Sequence, residues 1–127
     1  DFYPSYAKFF FRDSTLLQQP DGLRIFNKVG WAYGFLTDAS YVVDFDNHVE
    51  FMLAATIYVN EDGVLNDGKY DYNELGYPFL YELGQTIYRY ELSRKRAYKP
   101  DLSLFRINYE QRANDGRSTL KASEVDN

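Results

Sequence analysis

The chain has 127 residues, of which 45% are hydrophobic and 19% aromatic, and its formal net charge is −5. This length suits one domain with a sizeable core, and the aromatic share favours a sheet-rich fold over a helical bundle rich in Leu and Ala. The negative charge argues against nucleic acid as a partner, and the lack of cysteine excludes disulfides, thiolate zinc sites and a cysteine nucleophile. No apolar run is long enough for a membrane span.

The N-terminal residues 1–12 are rich in Phe and Tyr, and we expect them to form a short turn or helix laid over the core. The polar stretch 13–22 predicts a loop that ends in a turn. Position 1 is not Met, and no signal-peptide pattern follows it, so we expect the chain to begin inside a longer precursor.

Three strands are predicted, at about residues 23–30, 33–45 and 48–60. Within 33–45 the odd positions are mostly apolar, whereas Asp38, Ser40 and Asp44 occupy even positions. This period of two predicts a strand with one buried face and one face that is partly exposed to solvent.

The strand at 48–60 is apolar on both faces, which predicts a central strand. A tight hairpin built on Asp46 and Asn47 is expected to join it to the preceding strand.

A helix is predicted over residues 77–96, with Pro78 in its first turn and apolar side chains at helical spacing. Gly84 shares the apolar side, so we expect it to face the sheet at close approach. The basic run Arg94–Arg96 is expected in the last turn, where it complements the helix dipole.

The stretch Ile25–Gly34 carries the candidate site. Lys28 interrupts a run of strand formers, and Gly30 and Gly34 permit close backbone approach, a pattern that can present one cation and a few backbone amides to a ligand. The simpler interpretation is an edge strand with a protective lysine and glycines that mark a bulge.

The triplet Lys28-Val29-Gly30, followed by Gly34, Asp38 and the apolar residues 39–43, resembles the K-T-G strand and the next strand of class A type serine β-lactamases and penicillin-binding proteins. The order strand, strand, strand, helix extends this resemblance over residues 23–96. Asn27 before the lysine is similar to the β-lactamase-like serine hydrolases of Bacteroidetes-type bacteria.

The resemblance implies an α+β fold, in which a three-stranded antiparallel sheet carries a C-terminal amphipathic helix on one face as part of a larger β-lactamase-like α/β domain. Residues 1–100 would be the C-terminal portion of that domain, and residues 101–127 an extension or tail. A bacterial periplasm or cell envelope would be the location. No cofactor and no metal are expected.

The resemblance also assigns roles. Lys28, Val29 and Gly30 would bind substrate, and the backbone N–H of Trp31 would be one oxyanion-hole donor. Val29 stands where the family has a Thr or Ser hydroxyl, which puts recognition of a substrate carboxylate in doubt.

The family's nucleophile lies in an S-x-x-K turn far upstream of the K-T-G strand. Two strings match that pattern, Ser5–Lys8 and Ser118–Lys121, but neither precedes a buried helix in the required order. The sequence therefore predicts a segment of a serine hydrolase whose nucleophile lies outside this chain. The alternative is a non-catalytic binding or interaction module on the same scaffold.

Other catalytic groupings have simpler explanations. His48 is the single histidine and falls at a hairpin, where a solvated turn residue is the simpler interpretation. A catalytic triad of His48 with Ser40 and Asp44 would lack the strained turn that presents a nucleophilic serine. The carboxylate pair Asp44 and Glu50, which could suggest a glycosidase, is explained more simply by exposed charges on strands.

The outer edge of the strand at 48–60 would be open in this chain. Because natural proteins rarely leave a long apolar edge bare, we expect it to be covered by a missing N-terminal portion of the same protein, by the segment 102–109, or by a second copy.

Overall fold

The structure is a computed structural model that describes residues 5–15 and 21–107. Its sheet has three antiparallel strands, β1 (Leu23–Ala32), β2 (Phe35–Asp44) and β3 (Val49–Tyr58), in the order β1-β2-β3. Together with one long helix this confirms the α+β class and the predicted sheet. No helix among the described residues is long and apolar enough to cross a membrane.

The turn between β1 and β2 has two residues, Tyr33 and Gly34, with φ of 52° and 91°. Positive φ at both positions is typical of the type I′ turn, whose twist matches that of paired strands. The register of β1 and β2 runs without interruption from Leu23↔Asp44 to Ala32↔Phe35. The glycines of this stretch therefore mark a turn and an ordinary strand position rather than a bulge.

The helix α1 spans Tyr77–Ser93 and follows a π-helical turn at Tyr72–Gly76. It ends three residues before the predicted boundary because Arg94 adopts an extended conformation, with ψ of 127°. Arg94 and Arg96 lie beyond the last turn and pair with Glu91, so the expected complement to the helix dipole is replaced by side-chain ion pairs.

The core lies between one face of the sheet, α1 and a short 3-10 turn at Phe9–Phe11, which confirms for residues 5–12 that the N-terminal aromatic stretch covers the core. The buried cluster comprises Phe9, Phe10, Phe11, Leu23, Leu36, Val42 and Leu80.

Gly84 does not face the sheet as expected. An ideal Cβ at this position would meet Phe10, and Phe10 belongs to the N-terminal turn. The physical reason is that the N-terminal turn lies against α1 at this point of the helix.

The buried face of β2 carries the even positions, which is the reverse of what side-chain polarity indicates. Asp38, Ser40 and Asp44 are 0%, 4% and 3% exposed, whereas Phe35 on the other face is 50% exposed. Burial of these polar side chains is possible because Asp38 and Asp44 accept hydrogen bonds and the Ser40 hydroxyl donates one to Asp38.

β3 is an edge strand within the described residues, so the prediction of a central strand is wrong there; β2 is central. Phe51, Leu53 and Ile57 pack against the core cluster, but Met52 on the opposite face is 78% exposed. The apolar residues on both faces of β3 therefore have different surroundings: one face packs in the core, and the other is apolar but exposed to solvent.

The segment after α1 touches that second face without forming a strand. Leu102 is buried, and a 3-10 turn at Ser103–Phe105 places the Phe105 ring 5.2 Å from Tyr41 and 6.0 Å from Phe26. Up to residue 107 this segment does not cover the edge of β3. The remainder of the expected tail lies outside the described residues.

Candidate functional site

The predicted site residues lie on β1, which is the edge strand opposite β3. The Lys28 amine donates to the carbonyl of Val29 at 2.7 Å, and the Val29 side chain packs against the core. Gly30 is exposed, and an ideal Cβ there would meet no atom within 4 Å. The backbone at Gly30 is therefore open to approach from outside.

The direction of the Trp31 amide follows from the hairpin register. Ala32 and Phe35 close a two-residue turn and form a hydrogen-bonded pair, so the next pair, Trp31 and Leu36, is not hydrogen-bonded. The N–H of Trp31 consequently points away from β2, toward the free edge. The indole itself is 53% exposed and lies 6.1 Å from the Phe9 ring.

Two other contacts support this alternation along β1. The carbonyl of Ile25 accepts a hydrogen bond from Lys8 at 2.9 Å, and the carbonyl of Val29 accepts the one from Lys28. Both residues have the same parity as Trp31, and both carbonyls are reached by a side chain from the free edge.

None of the four predicted site residues, Lys28 to Trp31, lines any of five well-formed cavities in the described part of the chain. The side chains of Lys28 and Trp31 also lie on opposite faces of the sheet, because strand residues alternate. The described residues thus form an open strand edge here rather than the wall of a cleft.

The structure places Ser5 and Lys8 in separate interactions. The Ser5 hydroxyl donates to the Asp13 carbonyl at 3.0 Å and accepts from the Asp13 amide at 2.9 Å. The Lys8 amine donates to Ile25 and to Asn27 Oδ1 at 3.2 Å. Burial lowers the pKa of Lys8, against the opposing charge of Asp38. This serine is a structural turn residue, and the second S-x-x-K string, Ser118–Lys121, lies outside the described residues.

Asp38 is the centre of a buried network that ties the N-terminal segment to the sheet. Its carboxylate accepts the Phe9 amide at 2.9 Å, the Asn27 side-chain amide at 3.1 Å and the Ser40 hydroxyl at 3.0 Å. The Asn27 amide also donates to the carbonyl of Ala7. The network positions the segment 5–12 beside β1.

The remaining catalytic groupings are not assembled. The Ser40 hydroxyl is directed to Asp38, and Asp44 is bound by Asn47 and Tyr88. His48 is an exposed turn residue with φ of 51°.

The pair Asp44 and Glu50 is divided by the sheet. Val43 is the register partner of Glu50, so Asp44 and Glu50 lie on opposite faces. Glu50 accepts a hydrogen bond from Tyr41 instead. Among residues 5–15 and 21–107, no group of three His, Cys, Asp or Glu side chains has the arrangement of a metal site.

A cavity of about 280 Å³ opens at the other end of β1, and the sequence did not point to it. Its walls combine three carboxylates with three aromatic rings: Asp13, Asp44, Asp46, Phe11, Tyr81 and Tyr88. We call this the acidic–aromatic cavity. The signal in the sequence is the run Asp44–Asn47, in which Asp44 belongs to the predicted strand and Asp46 and Asn47 predict only a hairpin turn.

Asp44 and Tyr88 form the best-defined polar contact of this cavity. The Tyr88 hydroxyl donates to Asp44 Oδ2 at 2.5 Å, and Asn47 donates to both carboxylate oxygens. Burial of Asp44 opposes its ionisation, but the hydrogen bonds from Tyr88 and Asn47 outweigh burial and lower its pKa. Burial, reinforced by the bond to Asp44, raises the pKa of Tyr88.

Comparison of the chain with family models, with curated proteins and with solved structures gives no match.

Proposed function

We propose that this chain is the C-terminal segment of a serine hydrolase of the β-lactamase and transpeptidase type, with the nucleophile supplied from outside the chain. The observation that carries the proposal is the outward direction of the Trp31 amide, directly after the Lys28–Gly30 triplet on an edge strand. An acyl-transfer enzyme needs two such N–H donors at the oxyanion, and the nucleophile's own amide would be the second.

Lys28, Val29 and Gly30 are assigned substrate-binding roles and no bond-breaking step. Lys28 would add positive potential beside the reacting carbonyl, and Gly30 leaves room for the substrate backbone. Val29 turns its side chain into the core and has no hydroxyl, so it offers no hydrogen bond to a substrate carboxylate. We therefore expect esters or amides without that carboxylate to be better substrates than β-lactams.

Two further features support a larger domain. The outer edge of β3 is unpaired within the described residues, and Met52, Ala54 and Thr56 leave its second face exposed. A missing portion of the same protein that pairs with this edge and packs on this face would account for both features at once. A bacterial periplasm or cell envelope is the location proposed with this function.

The second candidate is a non-catalytic interaction module on the same scaffold. The observation that favours it is that the Lys28 amine, at the free edge, donates to the Val29 carbonyl at 2.7 Å and is therefore already engaged within the chain.

A fluorophosphonate label applied to this chain and to a longer precursor separates the two candidates. Labelling of the precursor but not of this chain supports the hydrolase, and an unlabelled precursor supports the interaction module. A fluorescent penicillin added in parallel tests whether Val29 weakens β-lactam recognition.

The variant Trp31→Pro in the precursor tests the oxyanion donor directly. Because the Trp31 N–H points away from β2, proline removes the donor without removing a hydrogen bond between β1 and β2, and proline is tolerated on edge strands for this reason. We expect labelling to slow by about 10²–10³-fold. The matched control Trp31→Ala keeps the N–H and is expected to label at nearly the parent rate.

A further inference from the structure

The acidic–aromatic cavity is separate from the proposed hydrolase site. Leu23, at the start of β1, lines the cavity, and Trp31 lies eight residues further along the same strand. At about 3.3 Å per strand residue the two places are about 26 Å apart. A ligand in one does not reach the other.

We propose that this cavity binds a small organic cation, an ammonium or guanidinium group attached to an apolar or aromatic body. Three acidic residues from two segments line it: Asp13 after the N-terminal turn, whose carboxylate also accepts two hydrogen bonds from Thr15, and Asp44 and Asp46 at the β2–β3 hairpin. Lysine, arginine and histidine are absent from the described residues that line it. The cavity therefore carries charge of one sign.

The buried carboxylate of Asp44 is fixed in position. Asn47 and Tyr88 donate three hydrogen bonds to its two oxygens, and the side chain is 3% exposed. The backbone amide of Asp46 is a further donor to this carboxylate, so Asp44 would attract a ligand cation through its charge. The lowered pKa of Asp44 keeps it ionised at neutral pH.

The aromatic walls fit the body of such a ligand. The Phe11 and Tyr88 rings meet edge to face at 5.6 Å, and Tyr81 completes that side. Aromatic faces attract a cation as well as an apolar body, so they add to the carboxylates instead of opposing them.

The volume limits the ligand to a small one. At about 280 Å³ the cavity is near the lower end of small-molecule pockets, which span roughly 300–1,000 Å³. A single ring with one aminomethyl group suits it.

Calorimetric titration of the 127-residue chain with benzylamine and with benzyl alcohol tests the proposal. The two probes have nearly the same shape and differ in charge. We expect benzylamine to bind more tightly by at least about fivefold and to weaken as salt is raised. Equal affinity for the two probes, or no binding of benzylamine, would overturn the proposal.

Two variants locate the binding site. Asp46→Asn removes an exposed carboxylate of the cavity and is expected to weaken benzylamine by about fivefold, while Asp62→Asn, an exposed carboxylate in a distant loop, leaves it unchanged. Equal effects of the two variants would show that the amine responds only to overall charge. Amide shifts of Tyr81 and Tyr88 on titration, seen by NMR, give a readout that does not depend on affinity. The result is independent of whether the precursor reacts with a fluorophosphonate.

Discussion

The backbone of Gly84 lies directly against Phe10: an ideal Cβ on this glycine would be 2.4 Å from both the carbonyl oxygen and the Cβ of Phe10. Real Cβ atoms do not approach other heavy atoms so closely, and the carbonyl oxygen belongs to backbone that no side-chain rotation can move away. Because Gly84 has no side chain, the N-terminal turn can lie close enough to α1 for its phenylalanines to pack into the core.

We expect Gly84→Ala to destabilise the chain by about 1–3 kcal/mol through overpacking. Alanine inside a helix would otherwise gain about 1 kcal/mol over glycine, so the sign of the change is diagnostic. Urea unfolding followed by circular dichroism measures it. The control Gly30→Ala, where an added Cβ meets nothing within 4 Å, should be neutral. An alanine variant at 84 as stable as the parent would contradict the close contact.

The bond between Tyr88 and Asp44 predicts a pH dependence. At neutral pH, Tyr88→Phe should cost about 1.5–3 kcal/mol, because it removes a hydrogen bond to an ionised group. The pKa of Asp44 is lowered by folding, so its contribution is present above the unfolded value of about 4 and is lost as pH falls through the folded pKa. The cost of Tyr88→Phe should therefore shrink in acid.

At alkaline pH the stabilisation from this pair changes in the opposite direction, and it decreases as pH rises. The pKa of Tyr88 is raised by folding, so its stabilisation is complete below the unfolded value of about 10 and is lost as pH rises further. Denaturant midpoints of the parent and Tyr88→Phe, measured from pH 3 to 11, should differ most between pH 5 and 9. Tyr98→Phe, at an 88% exposed position, is the control and should follow the parent. A cost that is constant over this range would mean that ionisation of the pair is not coupled to folding.

Tyr33 occupies the first position of the type I′ turn with φ of 52°. A left-handed conformation costs an ordinary residue about 1–2 kcal/mol, and asparagine tolerates it far better, above all before glycine. Since Tyr33 is 52% exposed and loses little packing, we expect Tyr33→Asn to stabilise the chain by about 1 kcal/mol. Thermal or urea unfolding checks this against Tyr98→Asn, which should change stability by less than about 0.5 kcal/mol. Destabilisation by Tyr33→Asn would reveal a packing role for this ring.

The sequence predicts the three strands and the helix because each depends on local pattern: β-branched and aromatic runs for the strands, and Pro78 with Leu80 and Leu83 at helical spacing for α1. It does not predict which face of β2 is buried. Asp38 is satisfied by the amide of Phe9, which lies 29 residues earlier in the chain. No local pattern contains that partner.

The two candidate sites also depend on contacts between distant parts of the chain, which local sequence patterns do not contain. The strand parity that turns the Trp31 amide outward depends on the two-residue turn at Tyr33 and Gly34, where the sequence indicates only a glycine that permits close approach or marks a bulge. The acidic–aromatic cavity needs Asp13, Asp44 and Tyr81 to converge from three segments. These three residues come together only when the chain packs into its tertiary structure, so the sequence pattern does not predict the cavity.

The outer edge of β3 gives the last prediction, through the direction of its amides. The Val59 amide donates to the carbonyl of Gly34 at 2.7 Å, and strand residues alternate. Odd-numbered residues of β3, such as Leu53 and Ala55, therefore bond to β2. The amides of Ala54 and Thr56 point to the open edge.

Hydrogen exchange on the dilute 127-residue chain should consequently alternate along β3, with Leu53 and Ala55 protected at least about 100-fold more than Ala54 and Thr56. In a longer precursor that supplies a pairing strand, the even positions should become protected at every concentration. A second copy on this edge would instead give protection that rises with concentration. Strong protection of Ala54 and Thr56 in the dilute monomer would show that the chain covers its own edge, and the argument for a missing portion from that edge would fail.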